Sequence, residues 1–201
     1  MSQKIAYFKN WIGNGPALFA SGPFSDLVRV IPLYDLEKTD LSGYRALLFS
    51  SNLDQRYAVT QRDRLEAYLE AGGQMVCNGH IVRPFLRFLR LYEVAPYQNV
   101  ETLRIHPAMP HPIFAGVDYE DLTFRRGVAG FYSRGSNPVP EGAEVLSTIS
   151  PQRLPVDWLL NLPGGGRLLV HSGNDIWMHA NDDNSASRIT PQLMNWLQEA
   201  V

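Results

Sequence analysis

The chain has 201 residues, of which 45% are hydrophobic, and this suits a single globular domain over residues 1–201. Its net charge of −2 at pH 7 excludes a broad electrostatic attraction to nucleic acid or to an anionic membrane. The one cysteine excludes an internal disulfide and a cysteine-based zinc cluster. Without an apolar leader or a membrane-length segment, the sequence predicts a cytoplasmic protein.

Strand and helix signals alternate in the first half of the chain. Strands are predicted at residues 5–8, 28–33, 46–49 and 74–77. The fully apolar run at 46–49 is typical of a parallel sheet covered on both faces. A short helix is predicted at residues 17–27. A second helix is predicted to begin at a Thr60 cap, with Asp63 at the reciprocal position, and to end at Gly72-Gly73. A third is predicted from Ile81, with Pro84 in its first turn. This order predicts a flavodoxin-like α/β fold, a mostly parallel sheet flanked by helices.

The character of the sequence changes after Pro96. Short β-like runs, separated by proline and glycine, are found at residues 102–105, 127–132, 145–149 and 156–160. No linker precedes them, so we expect an antiparallel β extension of the same domain in the second half of the chain. A further strand is predicted at residues 167–171, and Thr190-Pro191 opens a last helix.

The loops that follow the predicted parallel strands begin at Asn10, Ser50, Cys77 and His171. Open parallel sheets bind ligands at the carboxyl ends of their strands, where such loops meet. We therefore expect a binding site there, for a small molecule or a partner protein. Its candidate binding residues are Trp11, Asn52, Asn78, Gly79, Asn174 and Trp177.

Cys77 ends the fourth strand, and Gly79 follows two residues later. A strand-to-helix turn that lifts a nucleophile clear of the backbone is the nucleophile-elbow arrangement. The helix predicted from Ile81 would lower the pKa of the thiol, and the backbone N–H of Asn78 would supply part of an oxyanion hole.

A cysteine nucleophile also needs a base and a group that orients the base. The candidate bases are His171 and His179, and Asp175 is the candidate orienting group. The structural alternative for Cys77 is a small buried hydrophobic residue.

The segment Cys77-Asn78-Gly79-His80 matches the C-x-G-H pattern at the elbow of class I glutamine amidotransferases. The order of elements before it is also similar. The chain most resembles the trehalose-utilisation-type branch, in which segments like residues 69–73, 111–117 and 166–170 are found. The resemblance implies an α/β domain and a cysteine-centred site at the strand ends.

Two segments depart from the pattern of the members that hydrolyse glutamine. His171-Ser172-Gly173-Asn174-Asp175 stands where those enzymes carry a His-Pro-Glu-like segment, and Ser50-Ser51-Asn52 replaces their glycine-rich oxyanion loop. We therefore expect no true glutaminase activity.

No cofactor or metal is predicted. A Gly13-x-Gly15 pair follows the first strand, but Leu18 occupies the position of the third glycine of a dinucleotide fingerprint. Residues 171–183 are rich in His, Asp and Asn, a composition that turns explain as well as metal binding does.

Three functions stay open. The first is a non-catalytic relative that binds a small molecule or a partner, and the second is a hydrolase or amidotransferase acting on a C–N or carbonyl substrate through Cys77. The third, a sugar-binding or sugar-processing role, is suggested by the family resemblance and by Trp11, Trp158 and Trp177. A homodimer is compatible with this type of fold.

Overall fold

The computed structural model describes residues 4–10 and 15–199. Within these residues the strands are β1 (Lys4–Lys9), β2 (Val28–Pro32), β3 (Tyr44–Phe49), β4 (Gln74–Asn78), β5 (Glu93–Val94), β6 (Ile105–Pro107), β7 (Phe124–Arg125), β8 (Val128–Ala129), β9 (Gly135–Ser136), β10 (Glu144–Ile149), β11 (Leu154–Asn161) and β12 (Arg167–His171). The α-helices are α1 (Ala17–Ala20), α2 (Gln55–Thr60), α3 (Arg62–Glu70), α4 (Tyr119–Thr123) and α5 (Ile189–Trp196). Short 3-10 helices lie at Leu33–Lys38, Leu41–Gly43, Val100–Leu103, Pro112–Phe114, Ile176–His179 and Ser185–Arg188.

One central sheet contains eight of the strands described, in the order β2-β1-β3-β4-β12-β11-β10-β6. The pairs from β2 to β12 are parallel, and those from β12 to β6 are antiparallel. The predicted α/β fold, a mostly parallel sheet with an antiparallel extension, is confirmed. Because β12 lies between β4 and β11, the sheet joins strands from both halves of the chain.

Two apolar cores cover the two faces of this sheet. Along each central strand, alternate side chains point to opposite faces, as the period of a strand requires. Val76 and Leu169 belong to the core that α1 and α5 cover, whereas Met75 and Leu168 belong to the core that α2 and α3 cover. No helix within residues 4–10 and 15–199 is both long and apolar enough to cross a membrane.

The helix predicted from Ile81 is wrong. Residues 79–92 form turns and irregular backbone. Of the apolar face expected for that helix, Phe85, Leu86 and Leu89 are nevertheless buried and Phe88 is partly buried. Gln55 of α2 explains the difference, because its side chain accepts hydrogen bonds from Val82 N and Arg83 N and donates to His80 O. These backbone groups are therefore satisfied without a helical turn, and Pro84 has no N–H to contribute to one.

The predicted cap at Thr60 is also wrong. The helical segment begins earlier, at Gln55, where Asp54 accepts hydrogen bonds from the N–H groups of Arg56 and Tyr57. Thr60 ends α2 and α3 begins at Arg62, so a break replaces the predicted start. The helix predicted at residues 17–27 is shortened to α1, and the β-like runs at 102–105 and 127–132 form a 3-10 helix and short strands.

Candidate functional site at the carboxyl ends of the parallel strands

A row of apolar side chains crosses four strands near their ends on the α2/α3 face of the sheet. The register pairs Phe49 with Cys77, Cys77 with Val170, and Val170 with Trp158. Paired residues in a sheet share a face. All four are buried in one apolar core, and we call them the apolar row.

The next row across the same part of the sheet is polar and lies on the opposite face. The register pairs Asn78 with His171, His171 with Asp157, and Asp157 with Ser147. All four side chains are buried. We call them the polar row.

Asp157 is the centre of the hydrogen-bond network in the polar row. One carboxylate oxygen lies 2.7 Å from His171 Nδ1, and the other accepts hydrogen bonds from Tyr132 Oη at 2.8 Å and from Ser147 Oγ. Burial and the neighbouring Asp157 charge raise the pKa of Tyr132 well above its ordinary value, so its phenol remains a donor. The carboxylate contacts His171 through Nδ1 and so fixes the orientation of its ring.

A second aspartate–histidine pair lies nearby. His179 Nδ1 is 2.8 Å from Asp182 Oδ2, and Arg125 Nε donates to the same oxygen at 2.9 Å. Tyr132 stands beside both histidines, with ring centroids 4.6 Å from His171 and 5.8 Å from His179. Burial lowers the pKa of His179, although the hydrogen bond with Asp182 acts in the opposite direction.

The loops after β3, β4 and β12 are bound to one another, as the sequence predicted for the carboxyl ends of parallel strands. Asp175 accepts hydrogen bonds from Ser51 N at 2.6 Å and from Ser50 Oγ at 3.1 Å. Asn78 donates to Phe49 O and accepts from Ile176 N, both at 2.9 Å. Asp175 and Asn78 therefore join the loops, and in the described residues no hydrogen bond connects Asp175 to a histidine.

Gly79 makes this close approach possible. Its φ is +94°, and a Cβ at this position would lie 2.7 Å from Ser51 Cα. Its N–H donates to His171 O at 3.0 Å. The glycine expected beside a nucleophile is present, but it serves the packing of the β3 and β4 loops.

Cys77 lacks the surroundings that activate a thiol. Burial raises the pKa of its thiol, whereas a nucleophilic cysteine needs a lowered pKa. No helix follows to supply an amino-terminal dipole, since residues 79–92 are not helical. Cys77 points to the face opposite His171, so the structure does not bring together the nucleophile and the base that the sequence suggested.

The remaining candidates divide into exposed and buried residues. Asn52 and Asn174 are exposed, and Asn174 donates to Phe131 O at 3.0 Å. Trp177 is buried against Tyr7 and Phe19, with centroid distances of 5.7 and 5.4 Å, and is part of the core. Trp11 lies outside the described residues.

The sequence did not predict Asp157 and Asp182 as the partners of the two histidines. It also did not predict that Tyr132 and Arg125 donate to these carboxylates. One signal was available for Asp157, a carboxylate within the apolar run Val156-Asp157-Trp158-Leu159. A charged residue in a buried strand needs a polar partner. For the metal alternative, no group of three or more His, Cys, Asp or Glu side chains suited to a metal ion occurs in the part of the chain that the structure describes.

No protein-family model matches this sequence, and no curated protein matches it.

Proposed function

We propose that this protein binds a small molecule at the carboxyl ends of its parallel strands and does not use Cys77 as a nucleophile. The observation that supports this most is the position of Cys77 in the apolar row, one residue away from the face that carries His171 and Asp157. A thiol enclosed by Phe49, Val170 and the α2/α3 core has neither a base nor an open path to a substrate.

The exposed groups at the strand ends favour an uncharged ligand that forms hydrogen bonds. Asn52, Asn174 and His80 are exposed there. Burial of part of its ring, and then His171, lower the pKa of His80, so it is neutral at pH 7. The carboxylate of Asp175 already accepts two hydrogen bonds from the β3 loop. Amides and polyols, including sugars, offer the matching donors and acceptors.

The proposed relationship to class I glutamine amidotransferases rests on the C-x-G-H segment and the order of elements. In those enzymes the elbow cysteine does chemistry. Here the absence of a helix after β4 and the burial of Cys77 favour a relative that has lost that chemistry and kept the binding position.

The pH dependence of Cys77 alkylation by iodoacetamide tests the cysteine part of the proposal. A free thiol titrates at about 8.5. Because burial raises the thiol pKa, we expect labelling of the folded protein to be slow at every pH at which the protein stays folded, and to become fast in urea. Rapid labelling with a midpoint well below the free-thiol value would contradict the proposal and return Cys77 to the role of nucleophile.

Ligand binding is tested by thermal shift with a panel of amides and carbohydrates. A ligand that binds at the strand ends should raise the melting temperature of the wild type and lose most of that effect in Asn52→Ala. The matched control is Asn161→Ala, because Asn161 is also exposed but ends β11 beside Arg167, at the other end of β12. Equal shifts in both variants would place binding elsewhere.

A further inference from the structure

An apolar groove of about 620 Å³ lies between β5, the 3-10 helix Val100–Leu103 and the β7–β8 hairpin. Val94, Tyr97, Val100 and Val128 form its walls, and Leu103 is in its lining. The volume falls within the range of about 300–1,000 Å³ that is usual for small-molecule sites.

The walls of this groove leave an unusual amount of apolar side chain in water. Val94 is 74% exposed, Tyr97 65% and Val128 52%. Single exposed apolar residues are common, but a contiguous group marks a binding surface. Val94 and Tyr97 lie in and just after β5, whereas Val128 belongs to β8, so the fold brings two distant segments of the chain together at this groove.

Among the described residues that line the groove, one is charged, and it is Arg134. Its Nε donates to Gly130 O at 3.2 Å. Within the described residues, Arg134 takes part in no ion pair, and no hydrogen bond is found for its two terminal nitrogens. Arg134 is exposed, and its guanidinium is held at the groove without a protein acceptor for its terminal nitrogens among the described residues.

We propose that this groove binds a small apolar molecule that ends in a carboxylate, such as a medium-chain fatty acid. The apolar body would contact Val94, Val100 and Val128, and the carboxylate would accept paired hydrogen bonds from Arg134. A guanidinium fork matches a carboxylate in a bidentate geometry. No acidic residue lines the groove in the described chain, so the charges are complementary. This site goes beyond the function proposed for the strand ends.

Isothermal titration calorimetry with octanoate and octanamide tests the proposal, because the two probes differ in charge and hardly in shape. We expect octanoate to bind the wild type at least tenfold more tightly than octanamide. Arg134→Gln should weaken octanoate binding by about ten- to a hundredfold, as expected for a hydrogen bond to a charged group. The same variant should bind octanamide as the wild type does, which also shows that the groove is intact.

Arg126→Gln is the matched control, since Arg126 is an exposed arginine in the turn of the β7–β8 hairpin and does not line the groove. It should leave octanoate binding unchanged. The proposal is overturned if octanoate does not bind the wild type at millimolar concentration, or if both variants bind it equally. It is also overturned if the wild type is a dimer that Val128→Asp converts to a monomer, because a second copy then occupies the groove.

Discussion

The apolar and polar rows share the strands β4, β12 and β11, on which they lie one residue apart, and they have opposite chemistry. Cys77 and Val170 are paired in the register, and so are the residues that follow them, Asn78 and His171. The first pair lies in the apolar core formed with α2 and α3. The second pair is buried and polar and lies on the other face, where His171 contacts Asp157 and Asn78 binds the backbone of Phe49 and Ile176.

This difference shows that a reactive role cannot be assigned to a motif at a strand end before the face of the sheet that each side chain occupies is known. Successive side chains in a strand point in opposite directions. A cysteine and a histidine that occupy adjacent rows therefore cannot act together across the sheet, however suggestive their spacing in the sequence. In this protein the carboxylate of Asp157 lies in the polar row with His171, whereas Cys77 lies in the apolar row with Phe49 and Trp158.

The largest expected effect comes from removing the centre of the polar row. Asp157→Ala leaves three buried donors without their acceptor, those of Tyr132, Ser147 and His171. Each buried donor left unsatisfied costs about 1–3 kcal/mol, so we expect the free energy of unfolding to fall by at least about 3 kcal/mol. Urea unfolding followed by circular dichroism measures it.

The control for this variant is Asp183→Asn, because Asp183 is exposed. A surface substitution of this kind changes stability by no more than about 0.5 kcal/mol. If Asp157→Ala were as stable as the control, Asp157 would not be the shared acceptor of Tyr132, Ser147 and His171.

A smaller effect is expected where the β3 and β4 loops meet. Gly79→Ala places a Cβ 2.7 Å from Ser51 Cα in a residue with φ +94°. The left-handed conformation costs about 1–2 kcal/mol for a residue with a side chain, and overpacking adds about 1–3 kcal/mol. We expect a loss of at least about 2 kcal/mol, measured by urea unfolding.

Gly127→Ala separates the two contributions. Gly127 has a similar φ of +78°, but a Cβ there meets nothing within 4 Å. It should show the conformational cost alone, and the excess in Gly79→Ala is then the cost of crowding Ser51. An equal loss in both variants would mean that the loop approach is not tight.

The sequence predicted the sheet well because its signals were local. The runs at residues 46–49, 74–77 and 167–171 contain apolar residues that suit strands covered on both faces, and all three are strands of the parallel part of the sheet. The helix expected from Ile81 failed because Gln55, which is distant in the sequence, satisfies the backbone there. Propensity and pattern do not contain that tertiary contact.

At the carboxyl ends of the parallel strands, the sequence predicted the meeting of the loops and not the partners of their side chains. The loops after β3, β4 and β12 do meet, and Asn78 and Asp175 hold them together. The pairing of His171 with Asp157 depends on the register of β11 against β12, which follows from the whole sheet and not from either strand alone. The sequence offered Asp175 as a candidate to orient a histidine, whereas the fold places Asp157 beside His171.

The smallest and sharpest test concerns the apolar row. Cys77→Ala leaves a small cavity, for which we expect a loss of about 1 kcal/mol. Cys77→Ser keeps the shape of the side chain but buries a hydroxyl among Phe49, Val170 and Trp158, at a cost of about 1–3 kcal/mol if it finds no partner. Urea unfolding of the two variants should therefore rank alanine above serine. The opposite order would mean that position 77 has a polar neighbour. The apolar row would then not be apolar at Cys77, and a reactive role for this thiol would have to be considered again.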